Sequence, residues 1–173
     1  TQPTQQRGLT TTDGITATER QKIEQAVNDS LASLPPCVTH FMNQSGSGDS
    51  LDCSPDEMYA VTVAIDCLQQ ATAPMERTPE NKAVLIDQVM TLLGAYPFGM
   101  RFDHQAMKYK VKSFVAAIKA QPMWAIKDAV QNRLESPGKE PDTGTFLGEV
   151  KKEVLDFHRK LYKLRRITQT EDE

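Results

Sequence analysis

The feature that most constrains this chain is an apolar stripe near its carboxyl end. Within residues 143–167 apolar side chains recur in steps of three and four, namely at Leu147, Val150, Val154, Phe157, Leu161 and Leu164. Residues three and four apart lie on the same side of an α-helix, so this spacing predicts one long helix. Such a stripe is expected to pack against another helix, in the same chain or in a second copy.

Five earlier segments carry helix start or stop signals, whereas alternating runs rich in β-branched and aromatic residues are nearly absent. "TERQ" at Thr18 resembles a capping box, and "SPDE" and "TPEN" each place a proline directly after a capping residue. The sequence therefore predicts an all-α fold, a small bundle of about five to six helices.

The predicted domain boundaries follow from composition. Residues 1–17 are polar and are predicted to form a disordered arm. A helix over 18–34 ends at "PP" and is predicted to stand apart, because residues 35–54 are rich in Gly, Ser, Asp and Asn and resemble a linker. Residues 55–167 form the helical domain, and 168–173 form an acidic tail.

The charge of the chain is unevenly distributed. Residues 1–100 contain 5 Lys or Arg against 12 Asp or Glu, and residues 101–173 contain 15 against 11. This asymmetry suggests either an anionic partner for the second part or attraction between the two parts. No apolar run approaches the roughly 20 residues that span a bilayer, so no membrane contact is expected. The first 20 residues do not contain a basic patch followed by an apolar core, which is unlike a secretory signal, so a cytoplasmic location is expected.

The polar side of the last helix is the best candidate for binding nucleic acid. Four cations fall within about 60° of arc there: Lys152, Arg159, Lys163 and Arg166. Basic residues along one exposed stripe can neutralise successive phosphates. The alternative is an ordinary solvated face, because three acids lie one turn from these cations and are able to pair with them: Glu149, Glu153 and Asp156.

Three residues are candidates for a protein interface. Trp124, the only tryptophan, lies beside the apolar face of the predicted helix that begins at Pro122. It either seals the edge of the core, which we favour, or anchors a partner. Val154 and Leu161 belong to the apolar stripe and would hold a dimer together if the last helix self-associates.

We expect no catalytic, cofactor or metal site. Cys37 and His40 in "CVTH" have metal-ligand spacing, but Cys53 and Cys67, which would complete four ligands, stand far apart in the sequence. The segment "SPGKE" lacks the glycine spacing and the Ser or Thr of a phosphate loop, and it follows a helix instead of a strand. No nucleophile with a neighbouring base is recognisable, so the chain is predicted not to be an enzyme.

Residues 85–150 contain four elements in a particular order. They are a helix ending in "LLGAYP", a helix with "YKVKSFVAAIKAQP", a helix beginning "PMWAIKDAVQNRL", and "PDTGTFLGEV" after a short Pro and Gly linker. This order resembles small phage replication proteins that load, or hold back the loading of, the replicative hexameric helicase. In this chain the acid of the last element is displaced from its place in the family pattern.

The resemblance implies a compact helical domain without an ATP site and with a mobile segment that contacts the helicase. The expected function is that of a non-enzymatic adaptor in phage or bacterial DNA replication, with the helicase as protein partner and DNA as a second partner. The alternative is a structural or assembly protein that forms a homo-oligomer through its last helix.

Overall fold

A computed structural model describes residues 18–44, 51–96 and 104–169 of the chain. These residues form seven α-helices and no strand, which confirms the all-α prediction. The helices are α1 Glu19–Ala32, α2 Pro36–Asn43, α3 Pro55–Thr72, α4 Pro79–Gly94, α5 His104–Ile118, α6 Met123–Glu135 and α7 Thr143–Gln169. The predicted arm (1–17) and the last four residues of the predicted tail lie outside the described residues.

Helices α1, α3 and α4 begin where the sequence signals place them. Thr18 and Ser54 each form a capping box, in which the side chain three residues later accepts a hydrogen bond from the backbone N–H of the cap. The Thr78 hydroxyl accepts from the backbone N–H of Asn81 at 3.1 Å. These bonds satisfy N–H groups that have no partner inside the helix, which is why short local motifs fix the helix starts.

Helix α7 is the central element of the fold. It packs against α3, α5 and α6, and it also contacts α2. Seven of its side chains are buried in the protein's own core: Phe146, Val150, Val154, Phe157, Leu161, Leu164 and Ile167. The predicted stripe is confirmed, except that Leu147 is only half-buried and Phe146 takes the core position instead.

Two of the predicted segments differ from what the structure shows. Helix α1 is not isolated, because it packs on α3 and α6 and its Val27 is fully buried. The predicted linker 35–54 contains helix α2, whose Val38 is also fully buried. The double proline ends α1 as expected, but Pro36 also starts α2, since proline is well tolerated at a first helical position.

The turn after α6 is fixed by a small hydrogen-bond network. Arg133 donates to the carbonyl oxygens of Pro137 and Lys139, each at 2.8 Å, and its guanidinium also pairs with Glu149 of α7. The buried Tyr96, just after α4, donates its hydroxyl to the Pro137 carbonyl at 2.6 Å. The "SPGKE" segment is therefore a turn that these hydrogen bonds connect to α4, α6 and α7.

A second polar cluster fastens α1 to the core. Arg20 of α1 donates to Glu24 at 2.8 Å, to Asp128 of α6 at 3.3 Å, and to Glu153 of α7. Burial raises the pKa of Asp128 above its ordinary value of 3.8, and the positive charge of Arg20 offsets only part of this shift. Three carboxylates thus share one guanidinium, and burial makes ionisation of Asp128 unfavourable.

Replacing Gly138 tests the geometry of this turn. Gly138 has φ of 56° and is the only described residue in the left-handed region, so Gly138→Ala is expected to lower the free energy of unfolding by about 1–2 kcal/mol. A Cβ there would meet only Arg133, at an ordinary 3.8 Å, so the cost is backbone strain. The control Gly148→Ala, in open space on α7, should instead stabilise by up to about 1 kcal/mol. Urea unfolding measures the free energy of unfolding of both variants, and equal changes would contradict a left-handed backbone at Gly138.

Asp128→Asn is expected to raise the melting temperature at pH 7. The amide avoids the cost of burying a carboxylate and still accepts from Arg20. Since the folded-state pKa is raised, the carboxyl's contribution to stability is fully present below about pH 3.8 and is lost as the pH rises through the higher folded value. The gain should therefore vanish in acid.

Melting curves from pH 3 to pH 8 check this, with Asp66→Asn on the exposed side of α3 as the control for net charge. A lower melting temperature for Asp128→Asn at pH 7 would mean that the ion pair with Arg20 outweighs burial.

Candidate interaction surfaces

The three residues predicted to face a partner are buried. Trp124 is 4% exposed, its indole N–H donates to the carbonyl of Ala71 at 2.8 Å, and its ring meets Phe157 edge-on at 5.6 Å between centroids. Val154 is 0% exposed and Leu161 is 5% exposed. Their prediction as a partner interface does not agree with the structure, because α7 uses the stripe for the protein's own core. Trp124 takes the core position that the sequence favoured.

The four predicted nucleic-acid-binding cations divide into two groups. Lys152, Arg159 and Arg166 are exposed, and none of them forms an ion pair with another described residue. Lys163 is half-buried, and its ammonium donates to the carbonyl oxygen of Met42 at 2.6 Å. Met42 lies in the last turn of α2, where carbonyl groups lack partners inside the helix. Lys163 therefore holds α2 against α7.

The acids that were expected to neutralise these cations are engaged elsewhere. Glu149 binds Arg133 of α6, with 2.9 Å between Arg133 Nε and the carboxylate. Glu153 accepts from Arg20 of α1 and from Asn132 of α6, the latter at 2.9 Å. Asp156 pairs with Lys160 at 2.7 Å. These three acids therefore do not pair with Lys152, Arg159 or Arg166.

The exposed side of α7 carries more than the predicted cations. Lys151 and Arg165 are also exposed and form no ion pair with a described residue, and Tyr162 between them is 65% exposed. We name the set the basic face; its members are Lys151, Lys152, Arg159, Tyr162, Arg165 and Arg166. The segment "HRKLYKLRR" contains the second half of this set, but only the buried side of the helix decides which of its cations point outward.

The basic face suits an extended polyanion. From Lys151 to Arg166 the helix rises about 22 Å at 1.5 Å per residue, so the cations lie along a line instead of around one point. Lysine and arginine in such a row replace the counterions of successive phosphates. An exposed tyrosine ring provides a surface on which an unpaired base can stack.

A second surface lies between α4 and α5. It is a groove of about 1050 Å³ whose floor is largely apolar and includes Leu85, Met107, Val111 and Val115. Ile86 and Met90, on its α4 side, are 37% and 47% exposed. Methionine side chains adapt readily to the shape of a partner, so a groove of this composition can accept an apolar helix face.

The rim of this groove is strongly basic. Five exposed cations line it, and none forms an ion pair with a described residue: Arg77, Lys82, Lys108, Lys112 and Lys119. Glu76 is the only acid among the lining residues. We name this surface the lysine-rimmed groove. It is complementary to a ligand that combines apolar groups with negative charge.

The cysteines are arranged differently from the sequence prediction. Cys37 and Cys53, which the sequence keeps 16 positions apart, lie close together beside Glu57. Cys67 lies along α3 outside this cluster, and the His40 ring is hydrogen-bonded to Gln44 at 2.7 Å. Sequence reasoning missed the pair because the approach of α2 to the start of α3 creates it.

None of the helices within 18–44, 51–96 and 104–169 combines the length and apolar character that crossing a membrane requires. Comparison with protein-family models, with curated proteins and with solved structures gives no match for this chain.

Lys163→Ala and Arg159→Ala should differ in stability, because Lys163 supports the fold whereas Arg159 belongs to the exposed basic face. Loss of the bond to Met42 is expected to lower the free energy of unfolding by about 1 kcal/mol or more. Arg159→Ala should change it by less than about 0.5 kcal/mol, because the side chain is exposed and has no ion-pair partner among the described residues. Equal losses in chemical unfolding would mean that Arg159 also supports the fold.

Proposed function

We propose that the protein is a non-enzymatic adaptor of DNA replication that binds nucleic acid through the basic face of α7. The observation that carries the proposal is the uncompensated charge of this face. Its nearest described acids pair with Arg20, Arg133 and Lys160, so within 18–44, 51–96 and 104–169 no carboxylate balances its cations. Such a row of cations favours a phosphate backbone.

The preferred form of nucleic acid is single-stranded DNA. Tyr162 stands in the middle of the basic face and is 65% exposed, so its ring is accessible to an unpaired base. Stacking contributes about 1–3 kcal/mol per base and tolerates any sequence. A protein that acts where a replicative helicase is placed on DNA meets single strands, and we place that action in the cytoplasm of a phage-infected or bacterial cell.

The lysine-rimmed groove is the proposed contact for a protein partner, the replicative helicase. Its apolar floor and basic rim suit an amphipathic helix with acidic residues along its edges. The resemblance to phage helicase-loading proteins suggests the helicase as the partner but does not say which segment meets it. Tyr96 and Trp124, which belong to the motifs of this resemblance, are buried and stabilise the fold. Contacts with a partner therefore fall to exposed residues.

Neutralising two cations of the basic face should weaken DNA binding in a salt-dependent way. Arg159→Gln with Arg166→Gln is expected to lower the affinity for single-stranded DNA. It should also reduce the slope of log K against log salt by about 1.4, since each lost phosphate contact removes about 0.7. Fluorescence anisotropy with a labelled oligonucleotide at several salt concentrations measures both quantities.

The matched control removes the same charge from the other surface. Lys82→Gln with Lys119→Gln alters two exposed rim lysines of the groove and should leave the slope unchanged. Equal weakening by both pairs would mean that the protein attracts DNA only through its general charge, and the proposal for the basic face would be wrong.

Met90→Asp should abolish partner binding without affecting the DNA affinity. Met90 is 47% exposed in the groove, so the substitution puts a desolvated carboxylate against an incoming apolar face while the fold persists. The control is Val63→Asp, at a 42% exposed position on α3 outside the groove. Light scattering of each protein mixed with a replicative helicase measures complex formation, and a complex that survives Met90→Asp would exclude the groove as the contact.

A further inference from the structure

Three potential metal ligands converge between α2 and α3, at a place that the proposed function does not use. The Sγ atoms of Cys37 and Cys53 and a carboxylate oxygen of Glu57 all lie within 4.8 Å of one another. The Cys37 Sγ is 3.9 Å from Glu57 Oε2. Cys37 is exposed and the other two residues are half-buried, so the cluster is open to solvent on one side.

Local structure holds each of the three residues in place. Cys37 lies in the first turn of α2, which begins at Pro36. Cys53 directly precedes Ser54, the cap of α3, and Glu57 is the capping-box residue whose carboxylate accepts from the backbone N–H of Ser54 at 3.2 Å. The carboxylate is therefore oriented before any ion arrives, as in metal sites whose ligands are held by further hydrogen bonds.

We propose that Cys37, Cys53 and Glu57 bind a zinc ion. Zinc takes thiolate sulfur at about 2.3 Å and carboxylate oxygen at about 2.0–2.2 Å, so tetrahedral donors stand roughly 3.5–3.8 Å apart. Cys37 Sγ and Glu57 Oε2 are 3.9 Å apart, close to this separation, and all three donor atoms lie within 4.8 Å of one another, so small rotations of the side chains would bring them onto one ion. Two thiolates select zinc over magnesium or calcium, which prefer oxygen ligands, and water fills the fourth position on the solvent side.

The ion would act as a clamp between α2 and α3. Helix α2 has eight residues, its Pro35 cap makes no side-chain hydrogen bond, and the Lys163 ammonium holds only its far end. Binding at Cys37 would fix its first turn to the start of α3. Because the metal joins parts of the chain that are separate when unfolded, zinc is expected to raise the melting temperature.

The test uses the full chain, reduced and free of metal, titrated with Co²⁺ as a spectroscopic probe and then with Zn²⁺. One equivalent of Co²⁺ should give the visible bands of a tetrahedral ion and a near-ultraviolet thiolate charge-transfer band, and Zn²⁺ should displace it. Cys37→Ser and Cys53→Ser should each lower the affinity by at least about tenfold and weaken the thiolate band.

Two further variants locate the site. Glu57→Gln keeps the capping box, since glutamine also accepts from the cap N–H, and should weaken Co²⁺ binding while the protein stays folded in circular dichroism. Cys67→Ser, outside the cluster, should bind like the unaltered chain. Three results would overturn the proposal: no tetrahedral spectrum, binding that survives both Cys37→Ser and Cys53→Ser, or binding that is lost with Cys67→Ser.

Discussion

The fold depends on the burial of one side of α7. Seven side chains of this helix are inside the core, and α2, α3, α5 and α6 all pack against it. Burial of aliphatic and aromatic groups is the main force that holds such a bundle together, and it contributes about 25 cal/mol for each Å² of apolar surface removed from water. Because this force fixes the rotation of α7 about its axis, it also decides which of its polar residues face solvent.

The rotation of α7 separates its charges by sign. Its acids Glu149 and Glu153 lie at the boundary with α6 and α1, where Arg133 and Arg20 bind them and raise the cost of separating the helices. The cations of the basic face lie further round the helix and form no ion pair with a described acid, whereas Lys160 pairs with Asp156. One helix thus supplies structural ion pairs on its flank and a row of uncompensated positive charge on its outside, although the whole chain has a net charge of -3.

Local features of the fold could be predicted from the sequence, whereas features made by distant segments could not. The stripe of α7 and the caps at Thr18 and Ser54 depend on residues within one helical turn, and all are present. The sequence did not predict helix α2, because its first residue, Pro36, belongs to the double proline that was interpreted only as the end of α1. The partners of Glu153, the two walls of the lysine-rimmed groove and the approach of Cys37 to Cys53 arise only when helices meet, and no periodicity encodes them.

The central claim is that the stripe of α7 is the core of a single chain and not a seam between two. Light scattering and circular dichroism of Val154→Asp test it most directly, since Val154 is fully buried. A buried unpaired carboxylate should abolish cooperative unfolding and most of the helical signal. A variant that stays folded at the 19.3 kDa mass of one chain, where the unaltered protein has twice that mass, would contradict the account and make the stripe an interface.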